Sequence, residues 1–204
     1  MKIIGFVGMP GSGKSVASDI ARSIGLEVVV MGDIIRHEAE RLCLAPTDDN
    51  LGLVGNMLRA HEGSEAVAKR TLEKAKRSGK DIVVIDGLRS RDEVEFFRAY
   101  SDYFRLVEVH ASAEARLKRI ADRGRSDDAN FGHKIMKGSI IIPSCEDTLQ
   151  ETAKTLEKRE CRELGWGMCE AFREADIVID NNRSIDEFRA KVLAFLKEME
   201  NRSN

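Results

Sequence analysis

The 204-residue chain is 42% hydrophobic and 33% charged with a net charge of −2, the balance of a globular domain with room for a sizeable core. That charge gives no electrostatic case for nucleic acid or an anionic membrane surface as a partner, and no apolar stretch approaches the ~20 residues of a bilayer span. Cys43, Cys145, Cys161 and Cys169 form no C-x-x-C pair and have no histidine at zinc spacing. Free thiols in a reducing, cytoplasmic setting are therefore expected, with no signal peptide ahead of the first strand.

The first predicted element is a buried strand, Ile3–Val7, followed by Gly8-Met9-Pro10-Gly11-Ser12-Gly13-Lys14-Ser15 and a helical pattern from Val16 to Ile24. The octapeptide fits G-x-x-x-x-G-K-[ST] at every fixed position, and its strand–loop–helix setting separates a P-loop from a chance match. Its glycines let backbone N–H groups curl around a phosphate, and the helix N-terminus adds partial positive charge. Lys14 is expected to reach the β- and γ-phosphates of a nucleoside triphosphate, ATP, and the Ser15 hydroxyl to ligate Mg²⁺.

A second strand spans Glu27–Met31. Helices are predicted over Asp33–Leu44 and Asn50–His61, joined by the turn at 45–49, and from Ser64 to about Lys76 with Ser64 as its cap. The third strand, Ile82–Asp86, ends in a carboxylate and looks like a Walker B element, which assigns Asp86 to the metal's water shell. A helix over Ser90–Ala99, a strand over Phe104–His110 and a helix over Ser112–Arg123 follow. Arg116, Arg119 and Arg123 recur at three- and four-residue spacing and share one face of that helix. Residues 125–150 read as a long polar segment with one apolar island, Ile140–Pro143, more than an ordinary loop requires. The chain closes with a strand, Asp176–Asp180, and a helix from Ser184 to about Met199 that opens on a capping box. Strands alternating with helices predict an α/β fold: a three-layer αβα P-loop domain with a five-stranded parallel sheet.

Three further motifs carry a resemblance to nucleoside monophosphate kinases. Gly32-Asp33-Ile34-Ile35-Arg36 is similar to the G-D-x-x-R of adenylate kinases, in which the arginine holds the acceptor's phosphate. Dephospho-CoA kinases have a related pattern whose aspartate acts as base. The same two residues also read as a helix N-cap and a solvated charge. Asp86-Gly87-Leu88-Arg89 resembles D-G-x-P-R, whose arginine bridges donor and acceptor. Here Arg89 comes one residue early, the proline is missing, and Arg91 follows as a substitute. Arg125-Ser126-Asp127-Asp128 fits the lid motif R-x-D-D, with Lys158, Arg159 and Arg162 on the next helix. The resemblance implies that Lys14, Asp33, Arg89, Arg123 and Arg125 act in catalysis, that Arg119 joins Gly8–Ser15 in binding ATP, and that Asp33, Arg36 and Arg89 receive the acceptor. Arg116, Asp127, Asp128, Arg159 and Arg162 would belong to the lid and its second helix.

It also divides the single domain into an acceptor-binding helical region at about 33–78 and a lid with an insertion at about 116–162. For the extra length at 130–150, a lid hairpin turning at Lys137-Gly138-Ser139, a disordered excursion and an oligomer contact all fit. Apart from that insertion, the whole chain resembles an archaeal group of adenylate-kinase-related P-loop proteins. Val29–Asp33, Asp86–Arg89, Gly124–Asp128 and Glu163-Leu164-Gly165-Trp166-Gly167 carry this likeness. Membership implies ATP binding and a kinase reaction on a nucleotide-like small molecule without naming the acceptor. AMP or another monophosphate competes with dephospho-CoA, and an NTPase switch without an acceptor is the alternative. Trp166, between two glycines, either stacks on a base or wedges into the core.

Overall fold

Five apolar runs pair as one parallel sheet in the computed structural model, which describes residues 1–123, 135–136, 139–140 and 145–201, with side chains described for 1–122 and 149–201. In chain order the strands are β1 (Lys2–Val7), β2 (Glu27–Val30), β3 (Ile82–Leu88), β4 (Tyr103–His110), the short pair β5 (Ile135–Met136) and β6 (Ser139–Ile140), and β7 (Ile177–Asp180). The sheet runs β2-β3-β1-β4-β7 and every pairing in it is parallel. Parallel strands covered on both faces must be apolar throughout. In β1, accordingly, Ile3 and Val7 join one core while Ile4 and Phe6 join the other.

The first core lies under α2 (Met31–Arg41), α3 (Asp48–Glu62), α4 (Ala66–Arg77) and α5 (Arg91–Tyr100), with Met168 and Ala171 added from the short α8 (Met168–Arg173). The second is closed by α1 (Lys14–Ser23) and α9 (Ile185–Asn201), which supply Ala17, Ala21, Phe188, Val192 and Leu196. Fully burying one such Phe, Val or Leu is worth ~1.5–3 kcal/mol, so the two layers hold the sheet rigid between them. The remaining helices, α6 (Ala113–Arg123) and α7 (Cys145–Gly165), pack on each other beside the P-loop.

Register sets the site. Val30 of β2 lies opposite Asp86 of β3, Phe6 of β1 pairs with Asp86, and a bulge follows between Phe6 and Val7. On the other side His110 of β4 meets Asp180 of β7. The C-terminal ends of all five strands therefore share one edge, where open α/β sheets bind ligands.

Some boundaries move. Met31 starts α2 instead of ending β2, which puts Asp33 in the helix's first turn and not at its N-cap. Thr47 Oγ1 accepts from Asn50 N at 3.3 Å and starts α3 at Asp48, earlier than the sequence pattern suggests. Ser64 does not cap α4, which begins at Ala66; its hydroxyl turns to Glu65. β5 and β6 pair antiparallel, matching the hairpin alternative, and α7 begins at Cys145 within the stretch read as irregular.

Candidate active site at the carboxyl edge of the sheet

The P-loop leaves β1 and closes on α1, whose first residue is Lys14. Two glycines are dictated by neighbours as well as by dihedrals. Gly11 has φ +80°, and a Cβ there would stand 2.7 Å from the Arg116 carbonyl oxygen; Gly13 has φ +114°, and a Cβ would strike Asn181 Nδ2. Only glycine meets both demands. Asn181, 2% exposed at the end of β7, donates from Nδ2 to Ser12 O at 2.8 Å. Arg119 of α6 donates to Asn181 O at 2.7 Å. Arg116 reaches Ala111 O and Pro10 O at 3.2 and 3.3 Å and pairs with Glu160 of α7. The loop is thus held from behind by α6 and by the residue that follows β7, with α7 bracing Arg116.

In front of it opens a cleft of about 440 Å³, lined among others by Gly13, Lys14, Ser15, Asp86, Arg89 and Arg119. Asp86 is 6% exposed, its Oδ2 accepts from Ser18 Oγ at 2.8 Å, and the residue lines the cleft, so one carboxylate oxygen is fixed by the fold. Ser15 and Asp86 are hard oxygen donors suited to Mg²⁺, which takes few protein ligands and completes its shell with water and phosphate. Among the described residues no cluster of three or more His, Cys, Asp or Glu offers an all-protein metal cage.

The Lys14 ammonium folds back over the loop, donating to Gly8 O and, at 3.1 Å, to Met9 O. Burial pushes its pKa down to about 8 despite the opposing pull of Asp86 and Glu163, with Arg89 and Arg159 adding to the fall. The unfolded chain keeps that proton up to its ordinary value of 10.5, so unfolding takes up a proton between these limits and stability rises with pH across them. Lys14→Met should therefore be more stable than the parent near pH 7 by at most on the order of 3 kcal/mol. Its advantage should shrink between pH 8 and 10.5. Denaturant midpoints of both proteins at several pH values measure this, and a constant difference refutes the burial penalty.

A second, smaller cavity of about 30 Å³ adjoins the cleft, lined by Arg36, Arg89, Arg159 and Arg162 with Asp48 and Glu163. Arg36, Arg89 and Arg159 line both spaces. Arg162 forks onto Asp48 at 2.8 and 3.0 Å, and Arg36 pairs with Asp33 at 2.7 Å. Glu163, 2% exposed, lies 3.4 Å from Arg89 and 3.2 Å from Arg159. Burial alone would raise its pKa, but Arg89, Arg159 and Lys14 hold it below the ordinary carboxylate value. Burial, with Arg159 and Arg59 close by, lowers that of Arg89 against the pull of Glu163. The buried Glu93 anchors this wall: it accepts from Arg89 N at 2.7 Å and from Arg59 at 2.8 Å, and Ser90 Oγ caps its own N–H at 3.2 Å.

The structure therefore brings together Gly8–Ser15, Asp33, Arg36, Asp86, Arg89, Arg119, Arg159 and Arg162. Arg116 sits behind the loop and not among the cleft-lining residues. Arg91 does not substitute for Arg89: it is exposed and pairs with Glu95 at 2.7 Å. Lys158 pairs with Asp49 at the surface. Arg125, Asp127 and Asp128 and the Arg123 side chain lie outside the described residues. Sequence reasoning missed Asn181, Asp48 and the part played by Glu163. An amide just past the last strand of the sheet was the available signal for Asn181; Asp48 has none, because its partners come from another element, and for Glu163 only the i,i+4 spacing to Arg159 was legible, its contact with Arg89 being remote. Trp166 is part of neither core layer and borders the small cavity. Arg59 covers its ring at 4.2 Å and its Nε1 donates to Asn56 at 2.8 Å.

A P-loop on the central strand of a 2-3-1-4-7 parallel sheet, facing an arginine-lined cavity, defines the fold of kinase-like P-loop NTPases. Solved structures agree on that fold: a gluconokinase from Sinorhizobium meliloti 1021 aligns over 99% of this chain and 95% of its own at TM-score 0.53 and 18% identity. A shikimate kinase from Bacteroides thetaiotaomicron aligns over 98% of both chains at TM-score 0.55 and 14% identity. A family model described as an AAA domain matches residues 7–131. The chain belongs to the UPF0200 family of archaeal proteins: the UPF0200 protein of Methanothrix thermoacetophila is 49% identical over 98% of each chain. That of Methanosarcina mazei is 42% identical over 94% of this chain and 92% of its own.

Proposed function

We propose that this protein is an ATP- and Mg²⁺-dependent phosphotransferase that moves the γ-phosphoryl of ATP to an anionic, nucleotide-like small molecule, with an AMP-like nucleoside monophosphate as the favoured acceptor. One observation carries the reading: Arg36, Arg89 and Arg159 line both the P-loop cleft and the arginine cavity, so donor and acceptor phosphates would meet across shared guanidiniums. Phosphoryl transfer is catalysed by position and positive charge, and this is where both are concentrated. Arg36 also borders a groove of about 740 Å³ with Cys43, Leu44 and Pro46, room for the body of an acceptor.

In this reading Lys14 and Arg89 stabilise charge on the transferring group, Arg119 and Ile185 flank the donor's nucleoside, and Arg36 receives the acceptor. Ser15 and Asp86 would hold Mg²⁺, which when bound neutralises the β- and γ-phosphate oxygens. Lid roles for Arg123 and Arg125, and the division into regions 33–78 and 116–162, rest on the sequence pattern. Among the described residues no helix is long and apolar enough to cross a membrane, and Cys43, Cys161 and Cys169 are free thiols; a cytoplasmic setting fits both.

A thermal-shift screen of AMP, CMP, UMP, GMP and dephospho-CoA, each with a non-hydrolysable ATP analogue, tests the proposal. A true acceptor at ~100 times its Kd adds ~2.7 kcal/mol of stability. Stabilisation by dephospho-CoA alone would favour the second reading, in which Asp33 takes a proton from an attacking hydroxyl. Stabilisation by the analogue with no acceptor would leave an NTPase. With the acceptor in hand, Arg36→Ala should raise its KM roughly 10- to 100-fold, the loss of a charge-assisted hydrogen bond in a closed site. ATP affinity should barely change. An unaltered acceptor KM would return Arg36 to the solvated surface.

A further inference from the structure

The arginine cavity already contains an anion, supplied by the protein. Glu163 is 2% exposed and lies against both Arg89 and Arg159, the two arginines that also line the P-loop cleft, one just past the end of β3 and one on α7. At about 30 Å³ the cavity has space for roughly one water, less than a phosphate group needs. Inside this cavity the Glu163 carboxylate therefore holds the face of Arg89 and Arg159 that an acceptor's phosphate would take. A second anion brought beside it is repelled where little water screens the charges.

We propose that Glu163 is a resident counter-anion that occupies the acceptor phosphate's position and is exchanged for it, setting the acceptor's affinity. The inference rests on the phosphotransferase reading of the same site. The exchange has a clear physical basis. Buried guanidiniums need a counter-charge to remain aimed inward, and Glu163 provides one while the site waits. A phosphate dianion then makes paired, charge-assisted bonds that a single carboxylate cannot match. Asp48 and Asp33 are committed elsewhere: Asp48 is forked by Arg162 and stands 3.8 Å from Arg159 alone of the pair, and Asp33 is held by Arg36. Holding α7 against β3 through Glu163 until phosphate arrives also couples acceptor entry to the position of α7, which carries Arg159 and Arg162.

Inorganic phosphate is the probe, titrated with the P-loop saturated by a non-hydrolysable ATP analogue. The readout is the fluorescence of Trp166, the chain's single tryptophan, which borders the cavity. Glu163→Gln should bind phosphate roughly tenfold more tightly than the parent, the scale of one charge-assisted interaction. Glu163→Asp, which keeps the charge but withdraws it by one methylene, should fall between them and carries the test if the glutamine variant does not fold. Equal or weaker phosphate binding in the variants, with the analogue still bound, overturns the exchange and makes Glu163 a structural partner of the arginines. Failure of the analogue to bind the parent overturns the phosphotransferase reading itself, and the exchange with it.

Discussion

Lys14→Ala should retain the fold and lose essentially all ATP consumption. Lys14 opens α1 at the mouth of the cleft, and its ammonium lies on the Gly8 and Met9 carbonyls, ready to exchange those bonds for phosphate oxygens. A preorganised donor at a transferring group is worth roughly 10²–10³ in rate when removed singly. Here the loss should be at the upper end or beyond, because Lys14 is the cationic side chain of the P-loop itself. The fold should survive, since burying the ammonium opposes stability and the loop is held independently by Asn181, Arg119 and Arg116. Circular dichroism and a melting curve establish the second half, and an ATP-consumption assay the first. Activity within a few-fold of the parent would reject the cleft as the site of chemistry.

The second large effect is expected at Asp86, where asparagine should abolish the gain in ATP affinity that Mg²⁺ provides and leave metal-free binding nearly untouched. Asp86 ends the apolar run of β3, is almost wholly buried, and is oriented by the Ser18 hydroxyl. An asparagine can accept the same hydrogen bond, so packing and orientation survive while the negative charge is lost. Hard divalent cations depend on that charge. Isothermal titration of ATP with Mg²⁺ and with EDTA separates the cases: a selective loss in Mg²⁺ supports the metal role, and equal losses in both make Asp86 a purely structural carboxylate. Ser18→Ala should produce a weaker version of the same pattern, because it frees the carboxylate to rotate.

The two effects meet at the arginines. Arg89 is fixed at its backbone by Glu93 and at its guanidinium by Glu163. Its reach is therefore set by two carboxylates from different helices, despite the missing proline and the one-residue shift that separate its motif from D-G-x-P-R. β3 extends to Leu88, so Arg89 leaves the strand directly ahead of the Ser90 cap of α5.

What could be read from the sequence was whatever is encoded by neighbours along the chain. The P-loop is eight consecutive residues whose job depends on local dihedrals. Parallel buried strands such as Ile82–Asp86 are continuous apolar runs, and Asp86 follows from where such a run stops. The order of elements then points to a parallel αβα fold, because few topologies bury those runs on both faces. The tertiary structure decided which charges face each other. Asp48 and Arg162, Glu163 and Arg89, and Asn181 and Ser12 are remote in sequence, so no periodicity announces them. Arg116 and Arg119 share a helix face by spacing, yet Arg116 is spent behind the loop on Glu160 of α7 while Arg119 bonds Asn181 O and borders the cleft. Charge pairing depends on through-space distance and burial, and both exist only once the helices have packed.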